Sequence, residues 1–254
     1  MKDLVSVIIT TYNSSNRIKE CLTSVINQTY KNIEILVYDD CSHDDTVKEI
    51  YNVLDSAKIN FLVQRGAKNF GGPAKGRNWG CANANGDYIC FLDADDTWSV
   101  NKVAFQLNIM KSKDLSISST NAVIINGEQF PLISGYISLY KIICRNRLIL
   151  SSVMIKKSII KNLPYIFNED TRFISVEDYD LFLRLSILKN NLYVIPDRLT
   201  NYLVLEDSIS HKDIKDNELK RLYVLKKLKV NDIIQYFWKW MVIVSYKIKY
   251  SCSI

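Results

Sequence analysis

No CxxC pair occurs in the 254 residues, and the six cysteines (Cys21, Cys41, Cys81, Cys90, Cys144 and Cys252) follow no metal-ligand spacing. Most have apolar neighbours, so they read as reduced thiols of a cytosolic protein, and a cysteine-bound metal is not expected. No GxGxxG follows the first strand-like run, which argues against a dinucleotide oxidoreductase. "TTYNSSNR" is not a glycine-rich phosphate loop, which argues against a nucleotidyltransferase. The opening "MKDLVSVIITTYN" lacks the basic start, long apolar region and small-residue cleavage site of a secretory signal. Internal repeats and low-complexity linkers are absent as well.

Net charge is missing from most of the chain. All of the formal +6 lies between Lys212 and Lys249, where ten basic residues face four acidic ones, and the rest carries 23 of each sign. A neutral body argues against nucleic-acid binding, while a basic tail points to an anionic surface. With 48% hydrophobic and 24% charged residues, the chain can bury a full core.

What is present alternates in type. "LVSVIITTY" is a β-branched run of strand length, and Ile18, Cys21, Leu22, Val25 and Ile26 then form the apolar stripe of a helix. "IEILVYDD" is a second strand, "SHDDT" caps a helix carrying Val47, Ile50, Val53 and Leu54, and "INFLVQ" is a third strand. "GGPAKGRNWGCANANG" reads as a loop, a helix started by Pro73 and a stop at Gly86, followed by the strand "YICFLDADD". This order predicts an α/β fold, a Rossmann-like, mostly parallel sheet flanked by helices, with ligands beyond the carboxyl ends of the strands. Polar clusters occupy those ends: Thr10 to Asn13, Asp39 with Asp40, and Asp93 to Asp96. After residue 110 the pattern predicts strands around an Asn126-Gly127 turn, a short strand in "SSVMIKK", and a helix over "VEDYDLFLRLSILK" with Leu181, Leu185 and Leu188 inward.

In this order the pieces resemble the family-2 inverting glycosyltransferases of GT-A fold. The resemblance runs from residue 4 to about 210 and rests on "VSVIITTYN", "SVINQTY" with "EILVYDDCSHDDT", "GGPAKGRNWG", "FLDADD" and "VEDYDLFLRL". It implies a GT-A domain over residues 1–211, with a nucleotide-sugar-binding half (1–110) and an acceptor and catalytic half (111–211). A basic amphipathic helical tail covers 212–254.

The resemblance assigns roles that the chemistry of the residues supports. Asp95 would hold a divalent metal, Mn2+ or Mg2+, because hard cations favour carboxylate oxygens and neutralise a leaving diphosphate. Asp93 would touch the ribose or support the metal, and Asp96 would back it or cap the next helix. Asp40 can accept a hydrogen bond from a uracil imide, or it can cap the helix after "CSHDDT". Thr10, Tyr12 and Asn13 follow the first strand, where they would cradle the base, although Tyr12 reads equally well as a packing aromatic. Arg77 and Asn78 would bind the donor, with Gly71 and Gly72 allowing close backbone approach. Lys75 stays open. The base that deprotonates the acceptor hydroxyl would be Asp178, supported by Glu177 beside it, with Asp180 in the first helical turn and Arg184 pairing an acid or stabilising the site.

One segment departs from the family. Many members carry Tyr-Arg-x-His-x-x-Ser-x-Ser, whose His completes the metal site; here "YLVLEDSIS" places Leu203 and Leu205 at the Arg and His positions. Ser208 and Ser210 remain, Glu206 or water would substitute, His211 comes too late, and His43 reads as a surface residue. In the tail, "IIQYFWKWMVIVSY" is shorter than the roughly 20 residues a bilayer span needs. Its aromatics and flanking lysines predict peripheral attachment to the cytoplasmic face of a bacterial inner membrane, the alternative being a helix packed on the body. The resemblance extends to O-antigen enzymes. It implies a UDP-glucose-dependent β1,3-glucosyltransferase acting on N-acetylglucosamine or N-acetylgalactosamine linked to undecaprenyl diphosphate, with the acceptor near residues 130 to 155. Alternatives are another UDP-sugar, a capsular or teichoic acceptor, and a silent scaffold in polysaccharide assembly.

Overall fold

The computed structural model describes residues 3–144, 148–161, 163–188, 192–205, 214–230 and 233–251. The first half alternates as expected: β1 (Val5–Thr11), α1 (Ile18–Ile26), β2 (Ile33–Asp39), α2 (Thr46–Leu54), β3 (Asn60–Arg65), α3 (Ala74–Asn83) and β4 (Tyr88–Asp93). There follow β5 (Thr97–Trp98), α4 (Lys102–Ser112), β6 (Ile117–Ile125), β7 (Gly135–Tyr136), α5 (Leu139–Cys144), β8 (Val153–Lys156) and α6 (Lys157–Ile160). The chain continues through α7 (Glu177–Ile187), β9 (Leu192–Leu203), α8 (Ile214–Lys227) and α9 (Ile233–Ser251).

Among the described residues the strands form one sheet in the order β3-β2-β1-β4-β8-β6-β9-β5, with β7 on β9. The strands β1 to β4 are parallel, as their continuous apolar runs require: Val7 and Ile9 bury on one face and Ile8 on the other. The second half is mixed, because β8 runs antiparallel to both β4 and β6. The order reverses at β1, the switch point where open α/β sheets bind ligands. Register then aligns the polar strand ends, Thr10 opposite Asp93 and Thr11 opposite Asp39.

Two expectations change. The strand over "ISSTNAVII" has no hairpin partner after Asn126-Gly127; instead the Gln129 amide accepts from Ile124 N and donates to Ile124 O at 3.1 and 2.5 Å, satisfying the backbone that a second strand would have paired. In α7, Leu181 and Leu185 are fully buried but Leu188, one residue past the helix, is 51% exposed.

Helix α3 lies unusually close to the sheet. A Cβ on Gly80 would stand 2.4 Å from Ile8 Cγ2, and one on Gly76 2.7 Å from the Tyr38 ring and 2.8 Å from Thr10 Cγ2. Ile8 is a stiff, buried side chain, so Gly80→Ala is expected to lower stability by about 1–3 kcal/mol despite alanine's better helix propensity. Urea denaturation checks this, as a lower midpoint at unchanged slope.

The C-terminal helices pack on the body. Val224 and Leu225 of α8 and Leu228 just past it join the buried cluster that includes Leu181 and Leu185 of α7. In α9, Trp238 meets Tyr140 of α5 with ring centroids 4.2 Å apart. Lys239, which interrupts the apolar run, donates to the Leu228 carbonyl at 2.6 Å, closing the end of α8. The opposite face leaves Tyr236, Phe237, Trp240 and Met241 exposed. No helix among the described residues is long and apolar enough to cross a membrane.

Candidate active site

The acidic turn begins where β4 ends. Asp93 N–H donates to Ser151 Oγ at 3.2 Å, and Asp96 N–H closes the turn on the Asp93 carbonyl at 3.0 Å. Asp96 is buried, and its Oδ1 accepts from Leu203 N–H at 3.0 Å. It therefore ties the turn to the end of β9 and stands apart from the start of α4, which Asn101 precedes. Burial, then the charges of Asp95 and Asp93, hold the Asp96 carboxyl well above the ordinary range. Asp95 is half-buried, and burial followed by the charge of Asp93 pushes it up to about 6. Ser151 and Ser152, expected near the acceptor, are both buried: Ser151 braces Asp93, and Ser152 Oγ meets Ser119 Oγ at 2.7 Å.

Arg77, only 4% exposed on α3, joins this turn to α7. Its Nη2 donates to Asp93 Oδ1 and its Nη1 to Glu177 Oε1, both at 2.7 Å. Burial opposes its charge, but Asp93 and Glu177 outweigh burial and hold it protonated. Glu177 is buried, and its Oε2 has no hydrogen-bond partner. Asp178, at the same helix start, accepts from its neighbour's Tyr179 N–H at 2.6 Å. Burial first, then the charge of Glu177, pushes the Asp178 carboxyl up to about 7 against the attraction of Arg77. Just before the helix, Ser175 takes φ +74°, a left-handed conformation uncommon for serine. Arg184 pairs with Asp180 at 2.8 Å and donates to the Tyr165 and Ile166 carbonyls, fastening α7 to that loop.

The donor-side residues divide in two. Asp40 accepts the Phe70 N–H with both oxygens, at 3.2 and 3.0 Å, and burial raises its carboxyl. Gly71 takes φ +78°, and a Cβ on Gly72 would press on Ile174 Cγ1 at 3.2 Å, so this loop lies directly against the segment leading to α7. Lys75 stands 3.4 Å over the Phe70 ring. Thr10 packs under Gly76, and Tyr12 is 43% exposed with its ring edge-on to the exposed His43. By contrast, Asn13 (φ +46°) accepts from His43 N–H and takes the Ser42 hydroxyl with its own N–H, an internal clip. Asn78 exchanges hydrogen bonds with the Phe167 backbone and donates to Glu169, and Asp39 is buried against Ser42. Arg77 thus links Asp93 with Glu177, and its charge acts on Asp95 and Asp178, so these five residues stand together, while Asp40 holds the Phe70–Gly72 loop that lies against Ile174. Glu206, Ser208, Ser210 and His211 lie outside the described residues.

The glycosyl transferase family 2 model matches residues 6–165. The chain belongs to that family. This family 2 glycosyltransferase is 34% identical over 226 residues to UDP-Glc:alpha-D-GlcNAc-diphosphoundecaprenol beta-1,3-glucosyltransferase WfgD of Escherichia coli, covering 86% of this chain and 82% of the relative. It is 29% identical to the amylovoran biosynthesis glycosyltransferase AmsB of Erwinia amylovora, covering 84% and 74%. Among solved structures, S. aureus TarS 1–349 in complex with UDP-GlcNAc matches with a TM-score of 0.77 at 22% identity, over 96% of this chain and 71% of that one. The mannosyltransferase PcManGT from Pyrobaculum calidifontis in complex with GDP-Man and Mn2+ matches at 0.71 and 16%, over 91% and 66%. These likenesses establish the GT-A fold.

No group of three metal-ligating side chains is assembled among the described residues. The acidic turn nevertheless fits a hard divalent cation: Asp95 has no ion-pair partner among the described residues, and Asp96 Oδ2 is buried without a hydrogen-bond partner. Such a cation needs only one or two carboxylates when diphosphate and water complete its shell. No local signal in the sequence marks Ser151 as the brace of Asp93. The Gly76 and Gly80 pair, four residues apart, was a legible sign of a helix pressed on a sheet.

Proposed function

We propose that this enzyme transfers glucose from UDP-glucose, with inversion, to the 3-hydroxyl of N-acetylglucosamine or N-acetylgalactosamine on undecaprenyl diphosphate, in assembly of an O-antigen repeat. The observation that carries the reading is the Arg77 bridge, which holds the start of α7 and the acidic turn against one guanidinium. A base and the donor's leaving group must face the same anomeric carbon in an in-line displacement, and this bridge spaces them. Asp178, raised to about 7, takes the proton from the acceptor hydroxyl as its oxygen attacks. Asp40 would receive the uracil, Asp93 the ribose, and Asp95 with Asp96 behind it a Mn2+ or Mg2+ ion. When bound, that ion neutralises the departing diphosphate. The likeness to WfgD, a UDP-Glc:alpha-D-GlcNAc-diphosphoundecaprenol beta-1,3-glucosyltransferase, supports the donor and acceptor. The test is transfer from a panel of UDP-sugars to a synthetic N-acetylhexosamine-diphosphate-lipid with manganese, magnesium or EDTA. We expect UDP-glucose alone to be used, with EDTA abolishing transfer; use of another donor, or EDTA-resistant transfer, overturns the assignment.

On this reading α9 rests on the anionic surface of the inner membrane. Its exposed Phe237, Trp240 and Met241, and the exposed Lys226, Lys227 and Lys229 next to it, support that placement. Replacing Phe237, Trp240 and Met241 together with serine is expected to remove most co-flotation with phosphatidylglycerol vesicles while leaving the melting temperature unchanged. Undiminished flotation would rule the face out.

A further inference from the structure

Three half-buried or buried arginines reach α7, and two are already engaged. Arg77 bridges Asp93 and Glu177, and Arg184 holds Asp180 and two carbonyls. The third, Arg221, stands midway along α8. It is half-buried, its Nε is buried with no hydrogen-bond partner, and no carboxylate lies within ion-pair distance among the described residues. Its guanidinium carbon is 6.0 Å from the centroid of the Tyr179 ring, next to Asp178 in the chain, and its charge acts on the Asp178 carboxyl.

The helix that carries Arg221 is firmly seated. Val224 and Leu225 are buried, and the Tyr223 ring lies edge-on to Phe173 with centroids 5.7 Å apart. Nearby Arg172 is neutralised by Asp170. A guanidinium partly stripped of water, with no carboxylate of the described residues at ion-pair distance, is incompletely neutralised, and an incoming anion relieves that cost. Guanidinium matches a diphosphate better than an ammonium does, because its planar fork meets two oxygens.

We propose that Arg221 receives the diphosphate of the acceptor. This rests on the reading above that the acceptor sugar is carried on a diphosphate lipid. The residues assigned to the donor come from β1, β4, α3 and the turns after β1 and β2 and before α3, whereas Arg221 belongs to the helix that leads into α9. That one helical pair would then hold the acceptor's diphosphate and rest on the lipid surface in which its chain is embedded.

The test uses the full chain saturated with UDP and farnesyl diphosphate as the probe, titrated by calorimetry. Arg221→Gln is expected to weaken probe binding by about ten- to hundredfold, the range for a lost charge-assisted hydrogen bond. UDP affinity stays unchanged, the melting temperature does not fall, and Arg221→Lys falls between. In transfer assays the variant raises KM for N-acetylglucosamine-diphosphate-lipid at least tenfold more than KM for an alkyl N-acetylglucosaminide, and leaves KM for the donor alone. Equal probe affinity in wild type and variant overturns the proposal. So does weakened UDP binding in its place, which would assign Arg221 to the donor, or an equal loss with both acceptors, which would make it a positioning residue for Asp178. Arg221-dependent probe binding in a protein that transfers to neither acceptor would uphold the diphosphate site and instead overturn the sugars assigned above.

Discussion

Asp178→Asn is expected to reduce sugar transfer by about two to four orders of magnitude, the usual contribution of a positioned base, with little change in UDP affinity. The pH dependence follows from the same group. A base works only when deprotonated, and Asp178 is held up to about 7, so wild-type transfer should climb as pH rises through neutrality. Stability should move the other way. Because the folded carboxyl binds its proton more tightly than an unfolded aspartate near pH 4 does, the folded state loses stability as pH rises from there to about 7. Asparagine removes that dependence, so the inactive variant should melt higher than wild type at pH 8. Thermal denaturation at pH 5 and pH 8 together with a pH–rate profile checks both limbs. A variant that keeps wild-type turnover would remove Asp178 from the mechanism.

Arg77→Ala is expected to cost about 3–5 kcal/mol of stability, because it leaves Glu177 buried and unpaired at the start of α7. Lysine should rescue little, since one ammonium cannot reproduce the fork that reaches Asp93 and Glu177 at 2.7 Å each. Activity should fall with stability, as the acidic turn and the base helix lose their shared tether. A double-mutant cycle separates the contributions: adding Glu177→Gln to Arg77→Ala should recover part of the lost stability, because the uncompensated charge goes with it. Urea denaturation of the four proteins measures the coupling, and strictly additive losses would show that the bridge contributes nothing beyond its separate parts.

The sequence by itself determined the strands β1 to β4 and the helices between them, since apolar runs mark the strands, apolar stripes mark α1 and α2, and Pro73 and Gly86 bracket α3. It also determined which polar clusters stand at the strand ends, because apolar runs stop where Asp39 and Asp93 begin. The family followed from the order of those clusters. What the tertiary structure decided is partnership across distance. That Arg77 would bridge two acids, one of them 100 residues away, depends on α3 and α7 packing on the same face of the sheet. That Asp96 would face the backbone of Leu203 depends on β9 crossing to pair with β5. Arg221 and Lys239 read from sequence as basic residues of a charged tail, yet one stands beside the base and the other closes a helix end. The hairpin expected after β6 failed for the opposite, local reason: Gln129, five residues along the chain, satisfies the Ile124 backbone. Periodicity reports whether a side chain faces core or water, but the identity of its partner is set by strand order and helix docking, which no local pattern encodes.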